Sequence, residues 1–117
     1  MEKQNEKVIK AIQGTPFNWK ELVTDSKIPV LVDFYASWCR PCMMMEHPLN
    51  SLAAKMTDIS TILKVDIEKY PYIANDYNVM SIPTFILFKD GKPVQKWQGM
   101  VAISTLETAI NNIQNTK

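Results

Sequence analysis

At 117 residues the chain is sized for one domain that buries its core without covalent staples, so its two cysteines are not a disulfide scaffold. Lys and Arg number 13 against 12 Asp and Glu, a net charge of +1, and no basic run is interleaved with aromatics, which argues against nucleic acid as a partner. The opening MEKQNEKVIK is charged and lacks the apolar core of a signal peptide, and no segment reaches the ~18 apolar residues of a membrane span. The sequence therefore reads as a soluble cytoplasmic chain with no membrane partner, a compartment in which a close cysteine pair is more often catalytic or metal-binding than structural.

Residues 1–7 read as a flexible tail and 8–117 as a single domain, with no internal repeat or linker. KVIKAI (7–12) fits a short strand that Gly14 breaks, and Asn18 with Glu21 forms a capping box for a helix to about Val23. IPVLVDFYA (28–36) is apolar at nearly every position, as in a strand covered on both faces. Cys39 to about Thr57 reads as helix, with Pro48 expected to kink it or interrupt its hydrogen bonding. STILKVDI (60–67) is a second buried strand, and Pro71 suits the first position of a short helix to Tyr77. In PTFILFKDGKPVQKWQG (83–99), Asp90-Gly91 supplies turn chemistry between two strand-like runs, the pattern of a hairpin. Ser104 and Glu107 form a second capping box, after which Ile103, Leu106, Ile110 and Ile113 recur on one helical face. The order β-α-β-α-β-α-β-β-α implies an α/β fold, a central mixed sheet with helices on both faces.

The segment SWCRPCMMMEHP (37–48) holds both cysteines and the only histidine. A redox dithiol, part of a metal site and a buried helix start are all open readings. Cys39 follows a central strand and opens a helix, where unpaired backbone N–H groups and the positive end of the dipole favour an anion. Cys42 lies three residues on along the same face, with Cβ atoms ~5 to 6 Å apart before adjustment, and Pro41 restricts the loop between them. A thiol of pKa ~8.5 is only ~3% ionised at pH 7, and one lowered to ~7 is about half ionised, ~15-fold more nucleophile.

With these residues in hand, the sequence resembles the thioredoxin family. VDFYASWCRPC is similar to that family's active-site strand and loop, LKVDIEKYPYIANDYNVMSIPTFILFKDG to its middle and cis-proline region, and Gly99 to the glycine after its hairpin. The motifs match in order over roughly residues 8–115. The value of ~7 used above is the one known for thioredoxin itself. The resemblance implies a thioredoxin fold and a thiol-disulfide oxidoreductase, in which Cys39 is the attacking thiolate and Cys42 the resolving thiol. It also implies client proteins with disulfides, a flavin-containing thioredoxin reductase as electron donor, no cofactor held by this chain, and a monomer.

Asp33 interrupts the apolar central strand, where an isolated carboxylate is expensive to bury. By resemblance, burial raises its pKa so that it takes the proton of Cys42, and Lys64 on the neighbouring strand tempers that shift. The alternative is a structural Asp–Lys pair. Pro83 matches the family's cis-proline, which packs against the dithiol; from the residue pattern alone it would be a trans proline at a strand start. Trp38, Arg40, Pro41, Ile82, Pro83 and Gly99 are the candidate substrate-binding residues, although Trp38 also fits a core position. Phe34, Phe85, Leu87, Phe88 and Trp97 read as core or sheet-face residues.

Some positions depart from the family pattern. Arg40 stands where the commonest loop has glycine, and a charge ~7 Å from Cys39 is worth ~0.6 kcal/mol in water and ~2 kcal/mol at an intermediate dielectric. That would favour the thiolate by ~0.4 to 1.7 pH units and make the dithiol more oxidising; the alternative is a solvated arginine with no effect. The direction expected is reduction of client disulfides, with a more oxidising oxidase or isomerase as the alternative. Met43 replaces the usual lysine, and at least two of Met43, Met44 and Met45 are expected in the core. Pro48 lies six positions after Cys42, one farther than usual, and His47 reads as a partly exposed helix residue. As a rival, Cys39, Cys42 and His47 are too few for a closed zinc site, and Glu46 would give a crowded spacing. A redox-inert peptide-binding module is the third class, opposed by the presence of both cysteines, Asp33 and Pro83.

Overall fold

In the computed structural model, residues 18–114 are described; the expected strand at 7–12, the N-terminal tail and the domain limits lie outside them. Their strands are β1 (Val30–Tyr35), β2 (Thr61–Asp66), β3 (Thr84–Lys89) and β4 (Lys92–Gln98), and their α-helices are α1 (Arg40–Lys55), α2 (Pro71–Asp76) and α3 (Ile103–Gln114). The strands form one sheet in the order β2-β1-β3-β4. β1 and β2 are parallel, as a crossover through α1 requires, and β1–β3 and β3–β4 are antiparallel. The sheet is mixed, as the alternation of elements implies.

Strand periodicity assigns each side chain to a face. Leu31, Ile62, Phe85 and Leu87 pack beneath Met45, Leu49, Leu52 and Ala53 of α1 and Leu106 and Ile110 of α3. Val30, Val32, Phe34, Leu63, Val65, Ile86 and Phe88 face the other way, onto Val23 and the α2 residues Ile73 and Ala74. Both faces of β1 are thereby covered, which explains its near-continuous apolar run. The interruption is Asp33, on the same face as Leu31 and hence on the side covered by α1.

Several local expectations need correction. The segment after Asn18 is a π-helical turn, Lys20–Thr24, although Asn18 Oδ1 does accept the Glu21 N–H at 3.0 Å as a cap. α3 starts at Ile103, with the Thr105 N–H donating to the Ala102 carbonyl, so Ser104 already lies in the first turn and cannot act as its cap. α1 remains helical across Pro48, losing the bond that a Pro48 N–H would have given to Met44. Of the three consecutive methionines only Met45 is core; Met43 and Met44 are 50% and 60% exposed, because helical spacing turns just one of three adjacent residues toward the sheet. At the hairpin tip Asp90 and Gly91 have φ of 53° and 80°, the paired left-handed conformations of a type I′ turn. A Cβ on Gly91 would also lie 2.6 Å from the Thr24 carbonyl oxygen. Glycine is needed there on both counts.

Candidate active site

Cys39 is the N-cap of α1, in extended conformation, and Pro41 occupies the first turn where its missing N–H costs nothing. Cys39 and Cys42 are joined as a disulfide, with Cα atoms 5.2 Å apart, inside the span such a bond requires. Exposure does not separate the two sulfurs, since the residues are 4% and 5% exposed. Hydrogen bonding does: the Cys42 N–H donates to Cys39 Sγ at 3.2 Å. An unsatisfied first-turn donor is thus aimed at the sulfur of Cys39, where it stabilises negative charge once the bond opens. Ala36 and the half-buried Tyr35, Ile67 and Ile82 pack around the pair.

Asp33 and Lys64 are register partners on β1 and β2. Asp33 is 1% exposed, and among the described residues its Oδ1 finds no hydrogen-bond partner. Burial pushes its carboxyl up to about 7; the Lys64 ammonium opposes that rise and the Glu46 carboxylate adds to it. The Lys64 ammonium is engaged elsewhere, 2.6 Å from Glu46 Oε2 and 4.4 Å from the centre of the Tyr35 ring. The reading of Asp33 and Lys64 as a structural ion pair is therefore corrected: the partner of Lys64 is Glu46, one helical turn beyond Cys42. Glu46 was considered in the sequence only as a spare metal ligand; its i+4 spacing from Cys42 was the signal that could have placed it. Tyr35, Ala36, Ser37, Cys42, Met43, Glu46 and Lys64 line a cleft of about 280 Å³, room for several waters between the second thiol and solvent.

On the Cys39 side, Trp38 is 65% exposed and so is not a core residue. Its Nε1–H donates to Glu68 Oε2 at 2.7 Å, which holds the indole at the surface, a restraint no sequence pattern announced. Trp38, Ile67, Val79, Met80, Ser81 and Ile82 line a shallow groove of about 170 Å³. Two of the expected rim residues, Trp38 and Ile82, are thus brought together there, while Pro41 and Arg40 stand exposed on the first turn of α1. The Ile82–Pro83 bond is cis, and the Gly99 N–H donates to the Pro83 carbonyl at 2.8 Å. Gly99 has φ +85° with open space where a side chain would project, and neither it nor Pro83 lines the groove. His47 is exposed on α1.

The thioredoxin family profile matches residues 10–112. Thioredoxin Y2, chloroplastic, of Arabidopsis thaliana is 42% identical over 110 residues, 93% of this chain and 66% of the relative. Thioredoxin 1 of Synechococcus elongatus is 38% identical over 97 residues, 83% of this chain and 91% of the relative. The chain spans 51–66% of the length of plant thioredoxins it matches. A mutant thioredoxin from Halobacterium salinarum NRC-1 superposes with a TM-score of 0.78 at 30% identity, covering 91% of this chain and 90% of that one. The mixed sheet is a thioredoxin fold, the C-x-x-C pair stands at the first turn of α1, and the profile runs through most of the chain, so the chain belongs to the thioredoxin family.

Proposed function

We propose that the chain is a thiol-disulfide oxidoreductase that reduces disulfides of client proteins. The observation that carries this is the Cys42 N–H aimed at Cys39 Sγ at a helix start. In the reduced protein the Cys39 thiolate attacks one sulfur of a client disulfide, forming a mixed disulfide and releasing the other client sulfur as a thiolate that takes up a proton. Cys42 then loses its proton to the Asp33 carboxylate and attacks Cys39 Sγ. The client leaves as a dithiol and Cys39–Cys42 closes as the disulfide, so two electrons have passed to the client. Two electrons from a reductase, of the flavin-containing kind that serves the family, return the pair to the dithiol.

The positions of the residues support these roles. Asp33 is buried, its Oδ1 has no hydrogen-bond partner among the described residues, and its pKa of about 7 suits a group that must both accept and return a proton at physiological pH. Lys64 and Glu46 flank the cleft that connects Cys42 with solvent. The groove between Trp38 and Ile82 would take an extended client segment. Cytoplasmic placement and a monomeric state belong to the same proposal; the chemistry requires only a compartment whose thiol poise keeps the pair reduced. Insulin reduction under a thiol donor tests the reading. Wild type should accelerate it and Cys39→Ser should abolish the acceleration; an unchanged rate in Cys39→Ser would reject it.

A further inference from the structure

Proton transfer to Asp33 depends on where the charge of Lys64 resides, and α1 carries a residue that decides this. Glu46 lies four residues after Cys42, hence on the same helical face, and extends over β2 to place Oε2 2.6 Å from Lys64 Nζ. Lys64 is buried, its side chain 8% exposed, whereas that of Glu46 is 54% exposed. A buried ammonium must find an anion, and two carboxylates are within its neighbourhood: Asp33, its register partner, and Glu46. The structure has the ammonium on Glu46 and leaves Asp33 Oδ1 without a partner.

Counting charge shows the consequence. Asp33, Lys64 and Glu46 hold two acids and one base, so the cluster is neutral only when one carboxyl keeps its proton. Glu46 is wetted and already hydrogen-bonded to the lysine, so the proton falls to the buried Asp33, whose Oδ1 has no partner among the described residues. Among the described residues, the other elements around Asp33 offer no competing charge: β3 presents Phe85 opposite it, and the buried α3 residues on this face are apolar. Farther along β2, Asp66 Oδ1 accepts the Glu68 N–H, and His47 of α1 is exposed to solvent. What remains on the α1 side is the dithiol itself.

We infer that Glu46 is a positioning residue for the redox reaction: by holding the Lys64 ammonium on itself instead of on Asp33, it sets the pH at which Asp33 exchanges its proton with Cys42. The inference deepens the proposed mechanism and rests on Asp33 being the base for Cys42. Removing the Glu46 charge acts twice in one direction, because it deletes a negative charge near Asp33 and frees Lys64 to neutralise the Asp33 carboxylate.

The test titrates the Asp33 carboxyl by carbon NMR in the oxidised full chain, where the cysteines do not titrate, for wild type, Glu46→Gln and Glu46→Asp. Glu46→Gln should lower the Asp33 midpoint by about half a pH unit or more, the size expected on removing one charge within roughly 10 Å at a dielectric between protein and water. Glu46→Asp, which keeps the charge on a shorter arm, should restore most of the wild-type value. An Asp33 midpoint in Glu46→Gln that coincides with wild type overturns the inference. A second measurement follows the release of client thiol from the mixed disulfide against pH in wild type, Glu46→Gln and Asp33→Asn. The Glu46→Gln profile should move to lower pH with the NMR midpoint, and Asp33→Asn should lose that pH dependence. A profile unaltered in Asp33→Asn would sink the base role itself, a failure distinct from an Asp33 that ignores Glu46.

Discussion

Replacing Asp33 by Asn should change stability in a way that depends on pH. An ordinary aspartate titrates near 3.8, and burial raises Asp33 to about 7 in the fold. The native state therefore binds this proton more tightly than the unfolded chain does, and stability falls as pH rises from the unfolded value through the folded one. The difference of roughly 3 pH units corresponds to about 4 kcal/mol once both states are ionised, at ~1.36 kcal/mol per unit. Part of that cost is already present at pH 5, because the unfolded aspartate is then ionised. Between pH 5 and pH 8 the remaining loss is about 2.5 kcal/mol. Asn has nearly the same shape and cannot ionise, so the variant should be spared this loss. Urea unfolding of the oxidised proteins at both pH values measures it, and the stability of Asp33→Asn minus that of wild type should grow by about 2.5 kcal/mol toward pH 8. His47 and the remaining carboxylates are common to both proteins and cancel. A difference that stays constant with pH would refute the buried, neutral Asp33.

Arg40→Gly should raise the pKa of Cys39 by ~0.4 to 1.7 pH units and make the pair more reducing, read from the pH dependence of alkylation and from equilibrium with glutathione; coincident profiles would show the arginine to be merely solvated. Gly91→Ala should cost about 1–3 kcal/mol in denaturant unfolding, because alanine is strained at φ +80° and its Cβ would meet the Thr24 carbonyl oxygen at 2.6 Å; Gly99→Ala, strained at φ +85° but in open space, should cost less, and the reverse order would contradict the packing at the hairpin tip. Leu49→Ala, which empties a fully buried position between α1 and the sheet, should cost about 2–5 kcal/mol in the same assay, and a loss below about 1 kcal/mol would show that the position is not close-packed.

What the sequence reveals about this molecule depends on how local the causes are. The central strands were legible because burial on both faces leaves a near-continuous apolar run, and the hairpin because Asp90-Gly91 is a local solution to the twist of two strands. Spacing alone left the Cys39–Cys42 pair open among a dithiol, a metal site and a buried helix start, and the resemblance of the surrounding motifs decided for the dithiol, while Asp33 stood out because its cost in an apolar strand demanded a reason. Boundaries failed where two local signals competed: Ser104 and Glu107 have the spacing of a cap, yet the apolar phase of Ile103, Leu106 and Ile110 draws the helix start back to Ile103. Met43 and Met44 misled because hydrophobicity without phase says nothing about which side of a helix is covered.

The electrostatics around Asp33 were only half legible. The resemblance placed Lys64 beside it on the neighbouring strand, but its choice of Glu46 is a tertiary event between β2 and α1. The Trp38–Glu68 bond likewise joins residues thirty positions apart in the chain, and nothing in either neighbourhood encodes it. Tertiary pairs of this kind decide how the site titrates and what it touches.

Alkylation of the reduced protein with iodoacetamide across a range of pH, with peptide mass spectrometry assigning the modified cysteine, examines the nucleophile itself. Cys39 should react first, with a midpoint well below the ~8.5 of a free thiol, while Cys42 stays largely unmodified. Reaction of Cys42 ahead of Cys39, or a Cys39 midpoint equal to that of a free thiol, would show that the helix start does not hold Cys39 as an anion.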